Sequence, residues 1–167
     1  DVWYAHGIHF NDEELALLQR TRTGVAHCPS SNMRLGSGIA RVPEMLELNV
    51  PVGLAVDGSA SNDSSDMTGE MRSCLMIHRV LGGAAAITAE QVLGIATRGG
   101  ANLLGWNDIG TLEVGKGADL CLYEMDRLDY AGSLSDPLAA IIFSGASHFT
   151  DTTIVNGEIV VQDGRLT

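Results

Sequence analysis

The chain has little positive charge. Ten Lys and Arg stand against 21 Asp and Glu in 167 residues, a formal net charge of -11, and the cations form no basic stripe. Such a surface repels a polyanion, so no nucleic-acid partner is expected. Cysteine is scarce as well: Cys28, Cys74 and Cys121 are widely spaced and no CxxC pair occurs. That excludes a zinc knuckle or a redox dithiol and makes a reducing, cytoplasmic setting the expectation. No apolar run approaches bilayer-spanning length, and no charged-then-apolar leader opens the chain, so no membrane partner is expected. An initiator Met and a leading loop are missing too: Asp1 runs straight into the strand-like Val2, Trp3, Tyr4 and Ala5. A gene cut short at its start is the expectation. What is present is an ordinary globular composition, 45% hydrophobic, enough for one domain or a domain fragment with a small appendage.

Three apolar runs, Val2 to Ala5, Gly24 to Ala26 and Val50 to Val56, each end at a polar residue and precede a helical pattern. This is the rhythm of βα units on a parallel sheet, an α/β fold. Asn11 and Glu14 predict a capping box for a helix whose apolar face is Leu15, Leu17 and Leu18, and which stops near Gly24. CPSSNMRLGSG reads as a loop, followed by a helix containing Val42, Met45, Leu46 and Leu48. The polar loop DGSASNDSSD leads into a long helix from about Met67 to Leu81, in which Met67, Met71 and Met76 are expected to fill core. Thr88 and Gln91 predict a second capping box, on a helix closing around Gly105. There the composition shifts, which places a boundary between residues 1–104 and 105–167. Beyond it, Asp119 to Tyr123, Thr153 to Val155 and Glu158 to Val161 read as strands, with turns at GKG, NG and DG, and Asp136-Pro137 starts a short helix through Phe143.

In parallel α/β barrels the reacting groups stand at the C-terminal ends of the strands, where loops converge on one pocket. Here the runs end at His6, His27 and Asp57. Two imidazoles and a carboxylate suit zinc, or proton exchange with a water bound to it. Strand-end His and Asp also cap helices and satisfy loop backbone, so this spacing leaves both readings open. His27 either faces the pocket as a substrate-binding residue or ties down its own loop. Ser61 and Asn62 follow Asp57; Ser61 is a candidate substrate-binding hydroxyl, although both are also turn residues. Cys28 is expected to pack, His9 to sit in a loop, and His78 and His148 to be structural or surface residues. The HxE and PCxxC elements of a cytidine-deaminase-type zinc fold are missing, which sets that fold aside.

The words around these residues carry more. AHGIHF, HCPSSNMRLGSGIA and VGLAVDGSASND resemble the last barrel-strand motifs of the amidohydrolase superfamily, in the deaminase branch that includes enzymes acting on 8-oxoguanine, S-adenosylhomocysteine and s-triazines. ATRGGANLLG, IGTLEVGKGADL and VNGEIVVQDGRL resemble that superfamily's final barrel helix and small β-sandwich domain, so the likeness covers nearly the whole chain. The resemblance implies strands six to eight of a (β/α)₈ barrel over 1–104 and part of a composite β-sandwich over 105–167. It implies one divalent metal ion, zinc, with Asp57 binding it and taking a proton from the attacking water. His6 would hydrogen-bond that water and polarise the substrate. AHGIHF with CPSSNMRLGSG is most similar to the 8-oxoguanine deaminases, so removal of ammonia from a purine-like ring is expected, with s-triazine hydrolysis as the neighbouring alternative. The paired histidines after strand one, the histidine after strand five and its glutamate have no counterpart here. That favours a third reading, a non-catalytic fragment paired with a partner chain carrying barrel strands one to five; a missing N-terminal portion or a homo-oligomer is the accompanying expectation for what this chain associates with. An isolated piece of barrel exposes sheet edges and should associate.

Overall fold

The computed structural model describes residues 2–144 and 149–167; His148 lies outside the described residues. The chain forms two compact units, 1–106 and 107–167.

In the first unit, β1 (Trp3–Ala5), β2 (Gly24–His27) and β3 (Val52–Leu54) form a parallel sheet in that order. Its register sets Tyr4 beside Val25 and Val25 beside Val52, with Ala5, Ala26 and Gly53 in the next row. Because parallel strands all end at one edge, His6, His27 and the loop bearing Asp57 gather there. β2 is buried at every position while all three residues of β1 are exposed, so β1 is an uncovered sheet edge. α1 (Asp12–Thr21) starts in the predicted capping box, with Asn11 accepting from the Glu14 amide and Glu14 from the Asn11 amide, at 2.9 and 2.8 Å. Leu15 and Leu18 are buried, whereas Leu17 is half exposed and lies outside the apolar face assigned to it. Leu15 and Leu18, three residues apart, share one face of the helix, as helical spacing requires.

CPSSNMRLGSG is where the structure departs most from expectation. Residues Pro29–Leu35 form a helix, α2, rather than a loop. Pro29 occupies the first turn, where its missing N–H costs nothing, and Gly36 closes the helix in the left-handed region at φ 63°. Both residues also signal turns, so the six residues between them, without strong periodicity, read as loop. α3 (Val42–Glu47) follows, then after β3 the long α4 (Met67–Gly82), capped by the Asp66 carboxylate accepting from Thr68 and Gly69 amides. Of its methionines only Met71 is buried; Met67 and Met76 are 37% and 44% exposed, so they do not fill this core. His78, by contrast, is buried at 2%.

α5 (Ala89–Gly94) begins in the predicted Thr88–Gln91 box and continues through a single π-helical turn, Ile95–Gly99, into α6 (Gly100–Leu104). The reason for Gly99 lies opposite: a Cβ there would stand 2.1 Å from the Val52 carbonyl oxygen. The helix therefore seats backbone against backbone on β3, a contact only glycine allows.

The second unit is an antiparallel sheet in the order β4 (Leu120–Leu122), β5 (Thr152–Val155), β6 (Glu158–Gln162), β7 (Arg165–Leu166). Asn156 and Gly157, at φ 49° and 83°, join β5 to β6, and Asp163 and Gly164, at 51° and 70°, join β6 to β7. Both residues of each pair have positive φ, as a tight hairpin turn between right-twisted strands demands. α7 (Pro137–Phe143) starts at Asp136, whose carboxylate accepts from the Ala139 amide at 3.0 Å. Ala140, Ile142 and Tyr130 supply buried side chains in this unit.

Candidate functional site

His6 follows β1 directly and Asp57 stands three residues beyond β3, and both backbones are left-handed, at φ 66° and 65°. A residue with a Cβ adopts that region at a cost, which the surroundings must hold in place. For His6 the backbone anchor is visible: its amide donates to the Ala26 carbonyl at 2.8 Å. The strained turns aim the two side chains at each other, His6 Nε2 standing 3.9 Å from Asp57 Oδ2.

The N-terminal turn of α2 fixes both. His6 Nδ1 donates to Asn32 Oδ1 at 2.8 Å, which leaves Nε2 as the ring nitrogen facing Asp57. Ser31 Oγ donates to Asp57 Oδ2 at 2.6 Å, and Ser61 Oγ donates to the same oxygen at 2.6 Å. These hydrogen bonds, Ser31 first and Ser61 second, hold the Asp57 carboxyl well below its ordinary value, at about 2. Asp57 itself is exposed, whereas Ser31 and Asn32 are buried at 0% and 2%. The chemistry is thus presented to solvent on a rigid polar floor.

A further layer supports that floor. Glu70 of α4, buried at 2%, accepts from Asn62 Nδ2 at 2.7 Å and from the Ser30 amide at 3.2 Å, and Asn62 Nδ2 also donates to the Val56 carbonyl at 2.8 Å. This ties the loop after β3 to α2 and α4 together. Sequence reasoning passed over Ser31, Asn32 and Glu70. Ser31 and Asn32 lay inside a word already singled out, HCPSSN, and reading it as a helix start would have pointed both side chains toward the strand ends.

His6, Asp57 and Ser61 come together, but His27 stands apart from them. Its ring is 1% exposed and its Nε2 faces His78 Nε2 at 3.3 Å. Burial, then the neighbouring His78, pushes His27 down to about 3, so it is a neutral ring at ordinary pH. Cys28 is buried beside it and its thiol is pushed up to about 11 by burial, which suits packing rather than reaction.

The donor set around Asp57 fits part of a catalytic zinc centre. An anionic carboxylate and an imidazole nitrogen facing one space are donors of the right kind, but a catalytic zinc takes three protein ligands. Among the described residues, Asp57 belongs to no group of three potential metal-holding side chains.

A parallel βα sheet with an imidazole and an acidic carboxyl at its C-terminal edge defines the class to which the chain is assigned: it matches the Amidohydrolase family over residues 1–160 and belongs to that family. It is 51% identical to the 8-oxoguanine deaminase of Pseudomonas aeruginosa over 165 residues, 99% of this chain and 36% of that protein. It is 41% identical to a 5-methylthioadenosine/S-adenosylhomocysteine deaminase of Pelotomaculum thermopropionicum, over 96% of this chain and 37% of that one. Among solved structures, the zinc complex of the atrazine chlorohydrolase of Arthrobacter aurescens superposes with a TM-score of 0.95 at 32% identity, over 99% of this chain and 37% of the other. The chain therefore spans little more than a third of the length of these relatives.

Proposed function

We propose that this chain contributes strands six to eight of a (β/α)₈ barrel, and part of a small β-sandwich, to a metal-dependent hydrolase that removes ammonia from a purine-like ring, with 8-oxoguanine as substrate. The observation that carries this reading is the His6–Asp57 pair, 3.9 Å apart and fixed from below by Asn32, Ser31 and Ser61. The 51% identity to an 8-oxoguanine deaminase supports the substrate.

In this reading Asp57 holds the cation, whose ligand set is completed by residues beyond this chain. The zinc ion, when bound, acidifies water toward neutrality and so supplies hydroxide at ordinary pH. Held near 2, the Asp57 carboxyl is a reluctant base and carries the water's proton only in passing, to the departing amine. Water thus adds its oxygen to the ring carbon, the C–N bond breaks, and nitrogen leaves as ammonia with the transferred proton. His6, its Nδ1 proton committed to Asn32, turns Nε2 toward that water as an acceptor and orients it for attack. Ser61 Oγ is spent as a donor on Asp57 and keeps an acceptor lone pair for a substrate N–H. His27 acts from beneath as support for the HCPSSN turn. The uncovered edge of β1 is the place where a preceding barrel strand pairs.

The test is ammonia release by the full-length protein from 8-oxoguanine, beside S-adenosylhomocysteine and an s-triazine, with metal content measured in parallel. Turnover of 8-oxoguanine with stoichiometric metal, lost in Asp57→Asn, is the expected result. Turnover confined to another heterocycle overturns the substrate, and absence of metal and of any turnover overturns the hydrolase reading.

A further inference from the structure

A second group of donors lies away from Asp57, inside the first unit. α4 carries Glu70, Cys74 and His78 at intervals of four, which a helix stacks on one face. That face is buried, the three residues being 2%, 0% and 2% exposed, and His27 opposite, the last residue of β2, is 1% exposed. The ligand atoms of His27, Cys74 and His78 all lie within 4.8 Å of one another. The two imidazoles meet nitrogen to nitrogen, Nε2 to Nε2 at 3.3 Å, with ring centroids 5.2 Å apart. A hydrogen bond between them uses one proton, and it leaves His27 Nδ1 buried with no partner among the described residues. Packing alone gives no reason to gather two imidazoles and a thiol in a dry core.

We propose that His27, Cys74 and His78 form a buried site for a thiophilic cation, Zn²⁺, that staples the end of β2 to α4, separate from the site at Asp57. Imidazole nitrogens at about 2.0–2.1 Å from a tetrahedral zinc ion stand about 3.3 Å apart, the spacing seen between these rings. Cys74 and His78, one helical turn apart, supply two arms from a single rigid element, and His27 closes the site from the strand. Burial disfavours the charged form of both histidines, and a neutral imidazole has one nitrogen lone pair to offer a metal. The Cys74 thiol is pushed up to about 12 by burial and by Glu70, so zinc entry exchanges the S–H bond for an S–Zn bond and releases one proton to solvent. The thiolate cancels one of the ion's two charges, and the Glu70 carboxylate one turn along the helix offsets the other. α4 follows directly on the loop that carries Asp57, so the staple also stiffens that loop.

A cysteine ligand gives this site a signature that a carboxylate and histidine centre lacks. The full-length protein is stripped with a chelator, loaded with Co²⁺, and its thiolate-to-cobalt charge-transfer absorption recorded, with Zn²⁺ bound per chain counted by elemental analysis. Wild type should show the band, lose it on Zn²⁺ addition, and bind one more Zn²⁺ per chain than Cys74→Ala. His78→Gln should weaken the band at least several-fold, while Cys28→Ala should keep it. Should Cys74→Ala fail to fold, pulsed alkylation of wild type reads the same site: Zn²⁺ should slow labelling of Cys74 about tenfold or more and leave exposed Cys121 unchanged. No band and equal zinc content in wild type and a folded Cys74→Ala, or Cys74 labelling indifferent to Zn²⁺, overturns the proposal.

Discussion

Asp57 is held unusually acidic because two hydroxyls point at one of its oxygens, and each can be removed singly. Ser31→Ala leaves Ser61 and the Gly58 amide as donors, so the carboxyl should move up from about 2 toward the ordinary 3.8, read by NMR titration of the Asp57 side chain. The sign for stability follows: a carboxyl held low contributes stability that is present above its ordinary value and fades as pH falls toward about 2. Ser31→Ala should therefore reduce stability near neutral pH and leave it unchanged below pH 2. Asn32 acts on the imidazole instead. Asn32→Leu keeps the volume but removes the acceptor for His6 Nδ1, so in the full-length protein kcat/KM should fall roughly 10- to 100-fold, the usual effect of losing a partner that orients a ligand or base. Metal content should hold, because Asp57 is untouched. A loss of metal with activity would place Asn32 in the folding of the site rather than in the aim of His6.

At the scale of elements, the glycine pair in the helix that follows Thr88 separates two effects. Gly99 meets the Val52 carbonyl, so Gly99→Ala must push the helix from β3 and should cost about 1–3 kcal/mol or more. Gly100 has open space where a Cβ would stand and a helical φ of -59°, so Gly100→Ala should stabilise by about 0.4–1 kcal/mol. Urea unfolding of both variants checks the pair, and a stable Gly99→Ala would mean that the helix does not seat on β3. The sequence made neighbouring elements plain where a local signal sufficed. Asn11 with Glu14 and Thr88 with Gln91 announced two helix starts, and Asn156-Gly157 announced a hairpin, because each is a chemistry of residues a few places apart. Pro29 and Gly36 were equally local but ambiguous, since the residues that bound a short helix also bound a loop.

For the whole molecule, the open question is what covers β1. Val2, Trp3 and Tyr4 are 61%, 46% and 50% exposed along a strand edge that, among the described residues, nothing pairs. Apolar edges of this kind pair with other chains, so the 167-residue chain alone should associate in sedimentation velocity. Trp3→Lys should reduce that association by setting charge on the edge. A stable monomer at high concentration would mean that the edge needs no partner, against the barrel reading of this unit.

Taken by itself, the sequence determined where the first two strands end, where two helices are capped and where hairpins turn, because period, capping and turn chemistry act over a few residues; the third strand stops at Leu54, three residues short of Asp57. It also placed His6, Asp57 and Ser61 near one another through motif words. Only the tertiary structure decided that Ser31 and Asn32 serve Asp57 and His6, that Glu70 braces the loop between them, and that His27 turns to Cys74 and His78. Glu70 and its loop partner Asn62 are eight residues apart, but the other partners lie 26 to 51 residues apart along the chain. Their meeting depends on how strands, α2 and α4 pack, which no local pattern encodes.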